Sequence, residues 1–217
     1  MKTNKLTVFK KYGYIYENLL SKNIVFIYGL SLTCIAVAAT SVRNAMAISF
    51  ATAFVMIPSI FIASFLPRDM EYEWIALTVG FISFASVSVA FLFVNEADPA
   101  IFGTLGIYFP LLTFSTGTFM KFHQHLGSGK HSFALIDGLL SSVGYFIAAF
   151  LVASVREILA SGTFMEKPIS WITLKMPAFR MTFGGFIVIA FLAAFIKYLN
   201  RIIKIVLLHL DNKSNKQ

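Results

Sequence analysis

The chain has 217 residues, of which 58% are hydrophobic and only 13% are charged, and its mean hydropathy is +0.77. This composition excludes a soluble globule, because there are too few polar side chains to cover its surface and lipid must replace water over most of it. The apolar residues gather in stretches of about twenty, the length of a membrane-crossing helix, whereas the strands of a β-barrel would alternate in short segments.

The net charge is +8, and the lysines and arginines lie at the chain ends and in the connections between apolar stretches. A nucleic-acid-binding protein would instead carry a basic face on a soluble domain, so the charge indicates membrane orientation and no nucleic-acid partner. The single cysteine, Cys34, excludes an internal disulfide.

Six apolar stretches predict an all-α membrane protein with six transmembrane helices. In chain order they cover residues 24–42, 45–66, 74–94, 100–120, 133–159 and 181–208. Residues 1–23 are then a cytoplasmic or interfacial segment, in which residues 5–20 have the pattern of a helix lying at the membrane surface. Residues 24–208 form the membrane domain, and residues 209–217 form a cytoplasmic tail.

The basic residues divide unequally between the two sides of the membrane. If the N-terminus is cytoplasmic, 13 of the 18 lysines and arginines are cytoplasmic and five lie on the opposite side. The positive-inside rule therefore predicts that both termini are cytoplasmic. The basic connection between the fifth and sixth stretches is the exception to this pattern.

The first and fourth stretches differ from the others because they are rich in Gly, Pro, Ser, Thr and Ala. A pair of such stretches at matching places indicates an inverted repeat, here with halves 24–94 and 100–208, whose interrupted helices meet at a site between the halves. The alternative is that small residues only permit close helix packing. The marked residues are Gly29, Ser31, Thr33, Ala36, Ala38, Ala39, Thr40, Gly103, Gly106, Pro110, Thr113, Ser115, Thr116, Gly117 and Thr118.

Three segments carry a family resemblance. The fourth stretch reads G-I-Y-F-P-L-L-T-F-S-T, and the fifth contains I-D-G-L-L-S-S-V-G-Y and V-R-E-I-L-A-S-G-T-F. These segments resemble G-I-F-I-P-L-I-V-x-N-C, L-D-G-L-x-x-G-L-G-F and R-E-x-x-G-x-G-T-L-F of the small integral subunits of the Rnf and Nqr complexes. Those bacterial machines couple NADH, ferredoxin or quinone redox chemistry to sodium or proton pumping. The fifth stretch is more similar to the RnfE/NqrD branch than to the RnfA/NqrE branch.

The resemblance covers residues 23–196, and it implies a bacterial inner-membrane protein that lies beside a homologous, inverted partner within a larger complex of Rnf/Nqr-like subunits. In this family, each of two such partners supplies two cysteines to a [2Fe–2S] centre between them. The first stretch resembles the family's N-P-V-L-V-x-x-L-G-L-C-P from Asn23 onward, which puts Thr33 at the first cysteine and Cys34 at the proline; Thr116 stands at the second cysteine. A shift of one residue in the first stretch would instead bring Cys34 to the ligand position. Thiolates hold such clusters and threonine hydroxyls do not, so a cluster would need most of its ligands from a partner.

Three charged residues in the fifth stretch are candidates for an ion path. Asp137 lies inside the stretch, where an unpaired charge is costly, and the alternative is a shallow or helix-capping position. Arg156 and Glu157 are adjacent and point about 100° apart on a helix, so each needs another partner. They serve either ion passage or helix anchoring. The histidines at positions 123, 125 and 131 are expected in a solvated loop without a metal.

These observations lead to one hypothesis and one alternative. The hypothesis is a membrane subunit of an Rnf/Nqr-like ion-translocating oxidoreductase complex, without a catalytic site of its own, that takes part in electron transfer coupled to ion transport. The alternative is a non-redox paralogue that acts as a transporter or scaffold. Both predict that Thr33 and Thr116 face a common polar spot where two helices break.

Overall fold

The computed structural model describes residues 23, 25–26, 28–29, 31–165, 167–169 and 175–214, with side chains as far as residue 202. The predicted surface helix at 5–20 lies outside the described residues, as do residues 215–217 of the tail. Within them, the chain is mostly helical, as its composition predicts.

Seven α-helices and one short hairpin make up this part of the chain. Three 3₁₀ segments, Gly106–Tyr108, Pro110–Phe114 and Pro177–Arg180, connect them, and β1 pairs with β2 in antiparallel register. In chain order the elements are α1 (Leu32–Ala38), α2 (Val42–Ala63), α3 (Tyr72–Ala97), α4 (Ala100–Leu105), α5 (Thr116–His125), α6 (His131–Ser161), β1 (Thr163–Phe164), β2 (Lys167–Pro168) and α7 (Thr182–Ser214).

Five helical stretches in the described residues are long and apolar enough to cross a membrane, and they correspond to the second to sixth predicted spans. They are α2, α3, the broken segment Ala100–His125, α6 and the Thr182–Ile202 part of α7. Of the predicted first span at 24–42, the residues that the structure describes include one α-helix, the seven-residue α1. Its predicted end was wrong: Val42 begins α2, because the Ser41 side chain accepts a hydrogen bond from the Asn44 amide and caps that helix.

The fourth stretch is broken, as predicted. Helix α4 ends at Gly106, whose φ of 50° and ψ of −128° lie outside the helical region, and two 3₁₀ segments follow. Pro110 begins the second of them, where its missing N–H is tolerated. Ser115 is extended, and α5 begins directly after it.

Helix α2 lies at the centre of the bundle and packs most extensively against α6, and also against α3 and α5. Alanines at this interface are fully buried, including Ala51, Ala148 and Ala149. Large apolar side chains such as Phe81 and Phe191 are instead exposed on the outer helices, as lipid contact requires.

The bundle has two distinct ends. At one end, which we call the Arg43 end, α2 begins, α3 ends, and Arg43 pairs with Asp98. At the other, which we call the His131 end, α2 ends, α6 begins, and Ser64 shares a hydrogen bond of 2.8 Å with His131.

Candidate functional site

The starts of α1 and α5 meet in the interior of the bundle. The hydroxyl oxygens of Ser31 and Ser115, the residues immediately before the two helices, are 2.7 Å apart. The Gly117 amide donates to Ser31 Oγ at 3.1 Å, and the Ser31 amide donates to Thr116 Oγ1 at 3.1 Å. Each segment therefore satisfies a free amide at the start of the other, across more than eighty residues of sequence.

Thr33, Cys34 and Thr116, which the resemblance places at or next to the [2Fe–2S] ligand positions, differ in their surroundings. Thr116 belongs to this junction through its hydroxyl, although the residue as a whole is exposed. Thr33 is exposed on the second residue of α1, and Cys34 is buried in the hydrophobic core. Sequence reasoning did not single out Ser31 and Ser115 as the linking pair, because their contact depends on how the two segments pack.

This set of residues does not fit an iron–sulfur cluster. The junction presents hydroxyl oxygens, and Cys34, the single cysteine of the sequence, belongs to the buried hydrophobic core. Among the described residues, no group of three or more His, Cys, Asp or Glu side chains is arranged to hold a metal ion.

A buried charged cluster lies nearer the His131 end. Asp137 Oδ2 accepts from Lys121 Nζ at 2.8 Å and lies 3.0 Å from His125 Nε2. The three residues are 3%, 8% and 6% exposed, so the cluster is closed to solvent. Lys121 and His125 are four residues apart on α5 and therefore share one face, which meets Asp137 on the second turn of α6.

This cluster corrects two expectations. Asp137 does not cap the start of α6, since α6 begins six residues earlier and the carboxylate is buried against Lys121 and His125. Its depth in the membrane stays a prediction. The predicted solvated histidine loop was wrong, because residues 116–125 form α5 and His125 is buried within it. The sequence did contain one indication of the cluster, the four-residue spacing of Lys121 and His125. This spacing puts both residues on one helix face, but only if the helix is predicted to continue past Met120.

Arg156 is fully buried, and among the described residues its guanidinium donates to backbone carbonyls. It thereby joins the C-terminal end of α1 to the 3₁₀ segment before α7, where a cation complements the negative end of the helix dipole. The carbonyls within 3.2 Å of its guanidinium are those of Ala36, Ala39, Phe179, Arg180 and Met181.

Glu157 performs the complementary task at the start of α2. One carboxylate oxygen accepts from the Val42 amide at 2.8 Å, and the other accepts from Thr163 Oγ1 at 3.2 Å. An anion is favoured there by the positive end of the α2 dipole. Arg156 and Glu157 therefore hold both sides of the break between α1 and α2, and their role in ion passage stays a prediction.

The fold and these contacts define a multi-pass membrane protein in which two helices start at a shared polar junction. The model of the protein family described as "Rnf-Nqr subunit, membrane protein" matches residues 12–206. The chain belongs to this family.

The chain is also similar to named components of ion-translocating oxidoreductase complexes. It is 24% identical to the E subunit of that complex from Pasteurella multocida, over 70% of this chain and 67% of that one. It is 28% identical to the A subunit from Buchnera aphidicola, over 80% and 94%, and 26% identical to the E subunit from the same organism, over 88% and 92%. Because A and E subunits match at similar identity, the RnfE/NqrD branch stays a prediction.

Proposed function

We propose that this chain is a membrane subunit of an ion-translocating oxidoreductase complex in a bacterial inner membrane. It lies beside a homologous subunit of inverted topology, with both of its own termini in the cytoplasm. The observation that carries this proposal is the junction at which α1 and α5 cap each other through Ser31, Ser115 and Thr116. An inverted repeat of two three-helix halves brings two broken helices together in this way.

The chemistry of the junction bears on electron transfer. Two helix starts converge there, and their positive ends disfavour a bare cation and favour a negatively charged group. In this chain their amides are partly satisfied by hydroxyls, and no thiolate is supplied. We therefore propose that any [2Fe–2S] cluster at this place takes its cysteines from the partner subunit, and that this chain contributes the fold around it.

A second candidate function is favoured by the Ser31–Ser115 hydrogen bond itself. This contact joins two hydroxyl groups, which are poor ligands for an iron–sulfur cluster, as would suit a paralogue that has left redox chemistry and acts as a transporter or scaffold in the membrane. The two functions differ in whether the assembled complex contains iron.

The experiment is affinity purification of the tagged chain from its native membranes, followed by subunit identification, iron and acid-labile sulfide assays, and a visible spectrum. Co-purification of a homologous membrane subunit with two irons per complex is expected if the partner holds the cluster. An assembled but iron-free, colourless complex would favour the non-redox paralogue. Purification without any homologous subunit would overturn the proposal that the chain is part of such a complex.

For the ion path, we propose that Asp137, with Lys121 and His125, is the point where a translocated cation or proton exchanges with the protein near the His131 end. A buried ionisable group within a membrane span is expensive and is commonly kept for such a role. Arg156 and Glu157 stand at the opposite end of α6, where they hold the helices that border the path.

The test is Asp137→Asn, measured as ion uptake into membrane vesicles that contain the assembled complex. We expect uptake to fall about tenfold or more while the subunits still co-purify. Glu96→Gln is the matched control, because Glu96 is an exposed carboxylate near the end of α3. Normal uptake by an assembled Asp137→Asn complex would remove Asp137 from the path.

A further inference from the structure

A polar cavity opens at the Arg43 end, where α2 and α4 begin and α6 ends. Its volume is about 500 Å³. Two guanidinium side chains, Arg43 and Arg180, line it together with the Glu157 carboxylate. Most of the remaining lining consists of hydroxyl and amide groups, namely those of Thr40, Ser41, Asn44, Thr104, Ser161 and Thr163.

An apolar groove adjoins this cavity between α2, α3 and α6. Its volume is about 770 Å³, and its walls are formed largely by side chains such as Met46, Phe50, Phe93 and Phe146. It follows α2 from Arg43 to Ile57. At 1.5 Å per residue this is about 21 Å, which exceeds the roughly 15 Å depth of one hydrocarbon leaflet.

The two cavities share a charged boundary. Arg43 and Ile101 line both of them, and Asp98, the ion-pair partner of Arg43, lines the groove. The Arg43 side chain is 42% exposed, so its pairing with Asp98 leaves surface for a ligand. A molecule bound across this boundary would have a charged head among polar groups and a long apolar chain in the groove.

The charges at the boundary between the two cavities indicate which kind of lipid head group would bind there. Two guanidinium groups, of Arg43 and Arg180, and two carboxylates, of Asp98 and Glu157, surround it. Glu157 already accepts from the Val42 amide and from Thr163, so its charge acts there mainly as a fixed field. Both signs are therefore present, which matches a head that carries a phosphate and an ammonium group better than an acidic head or the neutral ring of a quinone.

We propose that the polar cavity and the groove together form a binding site for one zwitterionic phospholipid of the phosphatidylethanolamine type. The phosphate lies against Arg43 and Arg180, the ammonium lies on the carboxylate side, and one acyl chain occupies the groove along α2. The site is separate from the Ser31–Ser115 junction and from the Asp137 cluster, and it shares Glu157 with the border of the proposed ion path.

The test is native mass spectrometry of the purified protein in detergent, titrated with phosphatidylethanolamine, phosphatidylglycerol or a quinone of equal chain length. We expect one phosphatidylethanolamine to bind at least tenfold more tightly than the other two. Equal binding of the two lipids to the native protein, or preferential binding of the quinone, would overturn the proposal.

Two substitutions test the two parts of the site separately. Arg43→Gln removes the cation at the boundary and is expected to weaken phosphatidylethanolamine binding about tenfold. Ala53→Trp fills the groove and leaves the charged residues of the polar cavity unchanged. We expect it to prevent binding of the single phosphatidylethanolamine. The matched controls are Arg68→Gln at the His131 end and Ala85→Trp on the exposed side of α3.

Each variant is first compared with the native chain by size-exclusion chromatography. Lipid binding that is unchanged in folded Arg43→Gln and Ala53→Trp proteins would overturn the site. An equal loss in the two control variants would show a general effect on detergent-solubilised protein and would also overturn it.

Discussion

Replacing Arg156 by glutamine tests whether one buried guanidinium holds the break between α1 and α2. Within 3.2 Å, Arg156 donates to the carbonyls of five residues, two at the end of α1 and three in the segment before α7. A glutamine amide has only two N–H donors, so at least three of these carbonyls lose the guanidinium as a donor, and those of Ala36 and Ala39 are the buried ones. Lysine keeps the charge but loses the planar fork, so Arg156→Lys should be intermediate.

Each stranded carbonyl costs about 1 to 3 kcal/mol, but such costs are not additive within one network. We therefore expect Arg156→Gln to lower the free energy of unfolding by about 3 to 5 kcal/mol, within the range for loss of a buried charged network. At about 2 to 4 °C per kcal/mol for a chain of this size, the Tm should fall by about 6 to 20 °C.

The assay is thermal unfolding in detergent, followed by size-exclusion chromatography of the soluble fraction. Arg68→Gln is the control, since Arg68 is exposed at the opposite end and its loss should change the Tm by less than about 2 °C. Hydrogen exchange supplies a local measurement, because the amides of α1 should exchange faster in Arg156→Gln while those of α3 stay unchanged. A Tm within about 2 °C of the native value, with α1 equally protected, would refute the anchoring role of Arg156.

Three further substitutions address other contacts. In Gly185→Ala, the new Cβ would lie 2.4 Å from the Ala36 carbonyl oxygen, so α7 must move away from α1. We expect this to lower the free energy of unfolding by about 1 to 3 kcal/mol, measured as a lower Tm. The control is Gly80→Ala, which has open space around its new Cβ and should leave the Tm unchanged or raise it. Lys121→Met leaves the buried Asp137 carboxylate without its lysine and should lower the free energy of unfolding by about 3 to 5 kcal/mol. Adding Asp137→Asn to the same chain should restore part of this loss. A double mutant no more stable than Lys121→Met would contradict the ion pair. Ser31 has a left-handed φ of 58°, which glycine adopts without strain and alanine does not. The Tm of Ser31→Gly should therefore be higher than that of Ser31→Ala, although both variants lose the junction hydroxyl. The reverse order would count against strain at Ser31.

The sequence predicted the membrane class and most of the helices because each depends on local composition. Runs of apolar residues define α2, α3 and α6, and their predicted ends lie within a few residues of the observed ones. Glycine and proline act on the backbone at their own positions, so the break near Gly106 and Pro110 was also predictable. The end of the first span was less predictable, because Ser41 caps the start of α2 inside a continuous run of small and apolar residues.

The pairing of side chains was decided only by the tertiary structure. Ser31 and Ser115 are 84 residues apart, and nothing in either segment specifies that one caps the other. The partners of Arg156 are backbone carbonyls, which every residue type carries, so no sequence pattern could identify them. Local sequence determines where a helix starts and stops, whereas the partner of a buried polar group depends on which helices lie side by side.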